Sequence, residues 1–196
     1  YYKDYFDDAQ LIVCADGGAV HAKKMGVKPH ILVGDFDSIQ DDVLKWFENT
    51  DAEIQHYPVE KDMTDSEIAI NIAVERGCTS IRILGGFGTR LDHSLANVFL
   101  LKKLLDKGIK ASIINESNEI TLINDEIKLQ KRDGYNVSLI PITEKVEGVT
   151  TKGLYYPLHE ATIEMGSTWG VSNEFVDETA EVTIKSGMLI VILARK

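Results

Sequence analysis

The chain has 196 residues, of which 44% are hydrophobic and 27% charged, and these proportions are typical of a soluble globular protein. Its formal net charge of −10 argues against nucleic-acid binding, which needs a basic surface, and no apolar run approaches the length of a membrane span. The two cysteines, Cys14 and Cys78, lack zinc-type spacing, so we expect reduced thiols and a cytoplasmic location. Because the chain begins at Tyr1 without methionine, we also expect that a natural N-terminal segment precedes it.

The first part of the chain alternates short apolar runs with amphipathic segments. The predicted strands are 11–15, 31–33, 53–57, 80–84 and 111–114, and the predicted helices are 19–25, 41–48, 64–76 and 92–107. The helix from Thr64 has the clearest signals, because Thr64 and Glu67 form a capping-box pattern and Gly77 supplies the C-cap. Strands that alternate with helices indicate βα units and a mostly parallel sheet.

The pattern changes near residue 118, after which the sequence predicts strands and no helix. These strands are 120–123, 135–140, 146–151, 162–165, 181–184 and 189–193, and several of them alternate apolar and polar residues between turn-forming residues. We therefore predict two domains. An α/β domain with a mostly parallel sheet covers residues 1–116, and an all-β sandwich covers residues 117–196.

Two carboxylates follow the apolar run at 31–33, in the segment Gly34-Asp35-Phe36-Asp37-Ser38. Side chains two residues apart in an extended chain point to the same side, so Asp35 and Asp37 can face one point in space. Two oxygen ligands at a strand end suit Mg²⁺, which usually binds one or two carboxylates together with phosphate oxygens. A solvated acidic turn has the same pattern, so this pair alone leaves both interpretations open.

Three more polar clusters lie at or after predicted strands, at 15–18, 61–65 and 85–93. Ligands of open α/β sheets bind beyond the carboxyl ends of the strands, so we expect all four clusters on one rim. Asp65 is either a favourable carboxylate at a helix N-terminus or a third metal ligand. Arg90 suits a bidentate phosphate contact or a surface salt bridge, and Asp92 either caps its helix, contacts a ligand or does both.

The glycine-rich segment at 85–88 lets the backbone approach a ligand closely, and the following helix N-terminus favours anions. This segment matches neither a Walker A loop nor a dinucleotide-binding fingerprint. The cluster at 35–46 also fails as an EF-hand, because Gln40 replaces the required glycine and Trp46 replaces the final glutamate. The residues alone therefore point to a phosphate-binding and metal-binding rim without naming a substrate.

Taken in order, the motifs of this chain resemble those of thiamine pyrophosphokinases. The first half has Cys14-Ala15-Asp16-Gly17-Gly18-Ala19, Gly34-Asp35-Phe36-Asp37-Ser38-Ile39, Lys61-Asp62-Met63-Thr64-Asp65 and Gly85-Gly86-x-Gly88-x-Arg90-x-Asp92-His93. The second half has Thr151-Lys152-Gly153-Leu154-Tyr155-Tyr156 and Gly166-Ser167-x-x-x-Val171-Ser172-Asn173-Glu174. The resemblance covers nearly the whole chain.

This resemblance implies an ATP- and Mg²⁺-binding α/β domain, a thiamine-binding β-sandwich and a homodimer. It implies the reaction in which ATP and thiamine give AMP and thiamine diphosphate. The implied Mg²⁺ ligands are Asp35, Asp37 and Asp65, and Arg90 and Asp92 join them as implied catalytic residues. The implied nucleotide-binding residues are Asp16, Gly17, Gly18, Gly85, Gly86, Gly88 and Arg90. The implied thiamine contacts are Asp92, Tyr156, Ser172 and Asn173. Of these, Ser172 and Asn173 are implied to come from the partner subunit.

Two other functions fit part of the pattern. A Mg²⁺-dependent nucleotide pyrophosphohydrolase would use the same aspartates with water in place of the alcohol, but it would not need Tyr156, Ser172 and Asn173. A non-catalytic thiamine or nucleotide sensor would not need the full set of aspartates. Trp169 lies within the last motif and either contacts the ligand or packs, of which we favour packing, and the role of His93 stays open.

Overall fold

The computed structural model describes residues 2–37 and 39–196, except for the side chain of Lys3, so Ser38 of the Gly34–Ser38 motif lies outside the described residues. The chain divides into two compact units, Tyr1–Ile81 and Arg82–Lys196, and each is described by itself. Within the described residues, no helix combines the length and the apolar character needed to cross a membrane.

The first unit is a three-layer α/β arrangement. It contains strands β1 (Val13–Ala15), β2 (Ile31–Gly34) and β3 (Glu53–His56) and helices α1 (Gly18–Met25), α2 (Asp41–Glu48) and α3 (Asp65–Glu75). The strands pair in parallel in the order β1-β2-β3. Their carboxyl ends therefore lie at one edge of the sheet, which is where ligands of such sheets bind.

Strand β2 forms the centre of this unit because both of its faces are apolar. Leu32 lies in a buried cluster with Phe47 of α2. Ile31 and Val33 point to the opposite face, where they form a second cluster with residues of α3, among them Ile68. Burial on both faces explains the uninterrupted apolar run that the sequence shows here.

The helix boundaries agree closely with the sequence predictions. Helix α1 ends before Gly26, whose φ of 68° is the left-handed conformation that glycine adopts at no steric cost. At α3 the hydroxyl of Thr64 accepts a hydrogen bond from the backbone nitrogen of Glu67 at 3.2 Å, which confirms the predicted N-cap. The C-cap itself is Arg76, and Gly77 follows with a φ of 81°.

The second unit contains two sheets and helix α4 (Leu91–Leu105). The five-stranded sheet has the order β4-β5-β6-β12-β8 and the four-stranded sheet the order β10-β9-β11-β7. The strands are β4 (Ser80–Leu84, which begins at the unit boundary), β5 (Lys110–Ile114), β6 (Asn118–Ile123), β7 (Glu126–Gln130), β8 (Tyr135–Pro141), β9 (Lys145–Lys152), β10 (Ala161–Glu164), β11 (Thr179–Thr183) and β12 (Leu189–Arg195).

Strand β12 connects the two apolar cores of this unit. Val191 and Leu193 share a buried cluster with Val149 of β9 and Val182 of β11, so the two sheets pack face to face. Ile190 lies on the other face of β12, in a cluster with Leu101 of α4. The five-stranded sheet is therefore covered by the four-stranded sheet on one face and by α4 on the other.

The sequence prediction of the sheets was only partly right. The parallel sheet contains β1, β2 and β3, whereas β4 and β5 belong to the mixed five-stranded sheet. The five-stranded sheet is mixed because of a tight turn after β5, in which Asn115 Oδ1 accepts hydrogen bonds from the backbone nitrogens of Ser117 at 2.9 Å and Asn118 at 2.7 Å. So short a connection allows only an antiparallel neighbour, and β5 accordingly pairs antiparallel with β6.

One strand was missed altogether. Strand β7, with the sequence Glu-Ile-Lys-Leu-Gln, pairs antiparallel with β11. Its alternation of apolar and polar residues was a valid strand signal, but Ile127 and Leu129 are its only apolar residues. Pairing with a strand some fifty positions later in the chain decides its conformation, and a local pattern does not contain that information.

Candidate active site

The carboxyl edge of the β1-β2-β3 sheet collects the acidic residues of the first unit. Asp16 follows β1, Asp35 and Asp37 follow β2, and Asp65 begins α3 after β3. Asp16 also comes very close to the end of β2, because a Cβ atom added at Gly34 would lie 3.2 Å from the Cα of Asp16. The parallel order of the strands therefore brings these four predicted site residues to one edge.

Two of the loops at this edge contain non-glycine residues with positive φ, which is uncommon and concentrates at functional sites. The φ angle is 35° at Asp16 and 62° at Phe36. The Phe36 ring is buried and meets the ring of His56 edge-on, with 4.5 Å between the centroids. Phe36 thus anchors the loop, and its neighbours Asp35 and Asp37 are half-buried and exposed, respectively.

Gly17 and Gly18 lie where β1 turns into α1. Gly17 is the N-cap of α1 and Gly18 is its first helical residue. A Cβ atom added at Gly17 would meet nothing within 4 Å, whereas one at Gly18 would lie 3.4 Å from the sulfur of Cys14. Packing within the chain therefore does not require glycine at position 17, and the open space beside it suits a ligand.

Lys61 lies at the centre of the acidic cluster, although sequence reasoning gave it no role. Its Nζ atom is 3.0 Å from Oδ2 of Asp35 and 3.2 Å from Oδ1 of Asp65. The Lys61 side chain is only 12% exposed and that of Asp35 only 14%. The available signal was the spacing of Lys61 and Asp65, four residues apart with opposite charges.

The two carboxyl groups after β2 are in different electrostatic environments. The hydrogen bond from Lys61 lowers the pKa of Asp35. Hydrogen bonding to Asp35 and the negative charge of that residue raise the pKa of Asp37. Burial lowers the pKa of Lys61, but its hydrogen bond to Asp35 and its ion pair with Asp65 outweigh burial and the net shift is upward. The backbone nitrogen of Asp37 also donates a hydrogen bond to Oδ1 of Asp35 at 3.3 Å, so the two residues are in contact, although Phe36 between them is not in the extended conformation that the prediction assumed.

The donor set at this edge fits Mg²⁺. Asp35 and Asp65 converge on one positive charge, the ammonium of Lys61, and Asp37 lies beside Asp35. These are the hard oxygen ligands that Mg²⁺ prefers. Among residues 2–37 and 39–196, however, no three acidic, histidine or cysteine side chains already have the arrangement of a metal-binding cluster.

A second group of predicted residues lies in the other unit, between β4 and α4. A Cβ atom added at Gly86 would lie 2.8 Å from Cγ2 of Ile113, so this position needs glycine. The backbone oxygen of Gly86 accepts a hydrogen bond at 2.8 Å from the buried amide of Asn97. The backbone nitrogen of Gly88 donates to the hydroxyl of Ser94 at 3.3 Å. Helix α4 thereby fixes the conformation of the glycine-rich loop.

Sequence reasoning did not select Ser94 and Asn97. A signal for them was nevertheless present, because both are polar residues on the buried face of α4 that also contains Leu101 and Leu104. Polar side chains on a buried face need hydrogen-bond partners, and the loop supplies them here.

Arg90 and Asp92 form an exposed pair at the start of α4. One guanidinium nitrogen lies 2.6 Å from Oδ2 of Asp92, and Nε lies 3.3 Å from Oδ1. This pairing is the surface salt bridge that the sequence offered as one of the two interpretations of Arg90. The N-cap of α4 is Arg90 and Asp92 lies in the first turn, so of the alternatives for Asp92 the structure does not support N-capping. The hydrogen bond from Arg90 lowers the pKa of Asp92.

The third group, also in the second unit, surrounds Tyr156. The buried side chain of Asn173 forms hydrogen bonds with both the backbone nitrogen and the backbone oxygen of Tyr156. Ser172 has a φ of 62°, and its backbone nitrogen donates to the hydroxyl of Ser138 at 3.0 Å. The Tyr156 ring is 63% exposed and lies edge-on to Tyr155, with 4.9 Å between the centroids. Trp169 is 62% exposed, so it is not packed within this chain, and contact with a ligand stays the other interpretation.

Comparison with known proteins identifies relatives of both halves of the chain. The family model for the thiamin pyrophosphokinase catalytic domain matches residues 2–113, and the model for the thiamin pyrophosphokinase vitamin B1 binding domain matches residues 124–189. Thiamine pyrophosphokinase of Bacillus subtilis (strain 168) is 33% identical over 190 residues, which cover 96% of this chain and 89% of that protein. Thiamine pyrophosphokinase 1 of Oryza sativa subsp. japonica is 27% identical over 216 residues, which cover 97% of this chain and 81% of that protein.

Solved structures agree with these sequence matches. The crystal structure of thiamine pyrophosphokinase from Bacillus subtilis has a TM-score of 0.93 and 31% identity, and the alignment covers 100% of this chain and 92% of that one. The crystal structure of thiamin pyrophosphokinase from Geobacillus thermodenitrificans has a TM-score of 0.88 and 33% identity, with 100% and 91% covered. The chain therefore belongs to the thiamin pyrophosphokinase family.

Proposed function

We propose that this chain is a thiamine pyrophosphokinase, which transfers the pyrophosphate group of ATP to the hydroxyl of thiamine and releases AMP. The observation that carries this function is that the catalytic-domain model and the vitamin B1 binding-domain model match successive parts of one chain. The acidic cluster of the first unit supplies carboxylate oxygens, which can hold the divalent ion that accompanies a polyphosphate substrate. Neither a nucleotide hydrolase nor a sensor accounts for both features.

Our proposal divides the chain into an α/β catalytic domain at 1–116, with a mostly parallel sheet, and a thiamine-binding β-sandwich at 117–196. The matched ranges 2–113 and 124–189 support this division. The face-to-face packing of the two sheets in the second unit supports the sandwich. On this division β5 is the last strand of the catalytic domain, and its antiparallel pairing with β6 continues the sheet across the boundary.

In the catalytic domain, we assign Asp35, Asp37 and Asp65 to a Mg²⁺ ion that accompanies ATP. A Mg²⁺ ion held by these carboxylates would supply positive charge against the negative charge that develops during transfer. The convergence of Asp35 and Asp65 on one ammonium supports this assignment, since it shows that both side chains reach a common point. We assign Asp16, Gly17 and Gly18 to nucleotide contacts beside this cluster.

We assign the loop of Gly85, Gly86 and Gly88, together with Arg90, to the phosphate groups of ATP. The guanidinium of Arg90 already makes two contacts with the carboxylate of Asp92, and the same fork geometry suits phosphate oxygens. Asp92 orients Arg90 in this arrangement and also contacts thiamine in our proposal. Its lowered pKa makes Asp92 a weak base, so we give it no proton-abstraction step.

The reaction itself is an in-line displacement at the β-phosphorus of ATP. The thiamine hydroxyl oxygen forms a bond to that phosphorus, the bond to the oxygen shared with the α-phosphate breaks, and the hydroxyl proton passes to solvent. Such a transfer needs orientation of the two substrates and neutralisation of charge more than covalent help from the protein. The described aspartates and Arg90 supply both.

Thiamine binding is assigned to Tyr156, Ser172 and Asn173. The exposed Tyr156 ring is available to stack on the aminopyrimidine ring of thiamine. Asn173 holds the backbone of Tyr156 in place, so we assign it a positioning role as well as a contact. We propose a homodimer in which Ser172 and Asn173 contact the thiamine of the partner subunit. We also propose a cytoplasmic location, which suits the free thiols of Cys14 and Cys78.

The test is to incubate the purified protein with ATP, Mg²⁺ and thiamine and to separate the products by chromatography. The proposed function predicts equimolar AMP and thiamine diphosphate, dependent on thiamine and abolished by EDTA. Formation of AMP without thiamine diphosphate would instead identify a pyrophosphohydrolase. If there were no turnover but thiamine raised the melting temperature, the protein would be a sensor.

A further inference from the structure

Lys61 has an environment that none of the roles assigned above requires. Its Nζ atom contacts three oxygens, namely Oδ2 of Asp35 at 3.0 Å, Oδ1 of Asp65 at 3.2 Å and the backbone oxygen of Pro58 at 3.1 Å. The ammonium donates hydrogen bonds to Asp35 Oδ2 and to the oxygen of Pro58, whereas Oδ1 of Asp65 lies at ion-pair distance and is a buried oxygen without a hydrogen-bond donor among the described residues. The group is a built ion-pair centre, unlike the exposed lysine pairs elsewhere in the chain, such as Lys152 with Glu181.

Two of those three oxygens belong to predicted metal ligands. A divalent ion held by both Asp35 and Asp65 would have to lie between their carboxylates, where the ammonium of Lys61 now lies. Two positive groups at such short separation repel strongly, especially where solvent is largely excluded. The ammonium and the metal ion are therefore alternative occupants of one position.

We propose that Lys61 is an internal counter-cation of the acidic cluster, which neutralises Asp35 and Asp65 until a divalent ion displaces it and which then binds a phosphate group of ATP. This inference rests on the proposed assignment of Asp35, Asp37 and Asp65 as metal ligands. It assigns Lys61 a role in how the site is loaded.

The consequence is that metal and nucleotide bind cooperatively. A metal ion that arrives alone must break the ion pairs of Lys61 and leaves the ammonium without an anionic partner. A metal ion that arrives with ATP brings phosphate oxygens to which the displaced ammonium can bind. Lysine suits this exchange, because its charge is compact and its stem has several rotatable bonds. The neighbouring Asp62 and Met63 are exposed, so packing does not prevent the loop from adjusting.

The direct test is to titrate Mn²⁺ into the protein without nucleotide and to follow the free ion by electron paramagnetic resonance. Lys61→Met removes the competing charge while keeping a similar chain length, so it should bind Mn²⁺ about tenfold more tightly than the wild type. Lys61→Arg retains the charge and should keep the weak binding. Asp37→Ala should lose most Mn²⁺ affinity.

Lys23→Met is the matched control. Lys23 also pairs with an aspartate of the first unit, with Nζ 2.5 Å from Oδ2 of Asp42, so this variant removes the same charge from an ion pair without a predicted ligand. It should change the Mn²⁺ affinity by less than about twofold, because the Lys23–Asp42 pair is more exposed than the Lys61–Asp35 pair and is screened by solvent and salt.

A second measurement separates the loading role from a general effect on stability. In EDTA, Lys61→Met should melt at a lower temperature than the wild type, because Asp35 and Asp65 then repel each other, and Mn²⁺ should raise its melting temperature more than that of the wild type. In steady-state assays, Lys61→Met should raise KM for MgATP and leave KM for thiamine nearly unchanged.

Three results would overturn the inference. If Lys61→Met binds Mn²⁺ no more tightly than the wild type while Asp37→Ala loses binding, the metal site stands and the role of Lys61 is wrong. If Lys23→Met tightens binding equally, the effect is one of net charge and again the role is wrong. If neither the wild type nor Lys61→Met binds Mn²⁺, the metal assignment fails and the inference fails with it.

Discussion

The side chain of Asn173 holds both backbone polar groups of Tyr156. Its Oδ1 atom accepts a hydrogen bond from the backbone nitrogen of Tyr156 at 3.0 Å, and its Nδ2 atom donates to the backbone oxygen at 2.7 Å. The same Oδ1 atom accepts from the backbone nitrogen of Glu174 at 2.9 Å. Asn173 also pairs through its own backbone with Val137 of β8, so the exposed Tyr156 segment is tied to the sheet.

Asn173→Ala should therefore lower stability and weaken thiamine binding together. The change leaves the backbone groups of Tyr156 without their partners, which costs about 1–3 kcal/mol in the free energy of unfolding. KM for thiamine should rise, while KM for ATP should change little. Urea denaturation and steady-state kinetics measure the two effects. Asn49→Ala is the control, because Asn49 is exposed and donates one hydrogen bond, to the backbone oxygen of Lys45. Equal effects of the two substitutions would contradict the positioning role.

Asp37→Ala should abolish turnover and leave the fold intact. Asp37 is exposed, so its removal does not create a cavity, whereas the proposed metal site loses a ligand. We expect kcat to fall by roughly 100-fold or more, with a circular-dichroism spectrum like that of the wild type. Asp51→Ala, at an exposed turn of the same unit, should retain full activity. Substantial turnover by Asp37→Ala would remove Asp37 from the metal site.

The two glycines of the phosphate-binding loop should tolerate alanine very differently. At Gly86 the new methyl group would lie 2.8 Å from Ile113, so Gly86→Ala should destabilise the protein by about 1–3 kcal/mol. At Gly88 the methyl group would meet nothing within 4 Å, so Gly88→Ala should leave the melting temperature nearly unchanged. If Gly88→Ala nevertheless raised KM for ATP, the open space beside Gly88 would be identified as ligand space. Similar melting temperatures of the two variants would contradict the packing argument.

Cys14 should be protected from alkylation in the folded protein. Burial and the negative charge of Asp16 raise its pKa from 9.0 to about 12. At pH 8 the thiolate is then only about one part in ten thousand, and the thiolate is the reactive form. In a Cys78→Ser variant, iodoacetamide should leave the folded protein almost unmodified and should react after unfolding in urea. Rapid modification without urea would contradict the buried environment of Cys14.

The same pKa shift determines how Cys14 affects stability at high pH. The folded protein keeps the thiol proton in a range where the unfolded chain has lost it, so folding favours the protonated form. The contribution of Cys14 is therefore fully present below about pH 9, falls as the pH rises from 9.0, and is lost at about 12. Denaturation of the wild type and of Cys14→Ala at several pH values measures this difference, which should shrink above pH 9.

Local signals in the sequence were enough to determine several elements. Helix α2 has the predicted bounds, and the capping pattern at Thr64 correctly identified the start of α3. The apolar run at 31–33 correctly predicted a buried strand that ends before Asp35 and Asp37, and their role as metal ligands stays a prediction. The ordered motifs pointed to the family to which the chain belongs. Each of these signals lies in a short stretch of the chain or in the order of such stretches, so the linear sequence contains it.

Only the tertiary structure decided which distant residues meet. Strand β7 depends on pairing with β11, and β5 joins the mixed sheet through its pairing with β6. Lys61 reaches Asp35 across 26 positions of the chain, and Asn173 reaches Tyr156 across 17. These contacts depend on the parallel order of the strands and on the packing of the two sheets. The free energy of such long-range packing places Lys61 between Asp35 and Asp65, and Asn173 against the backbone of Tyr156. No short sequence pattern contains that information.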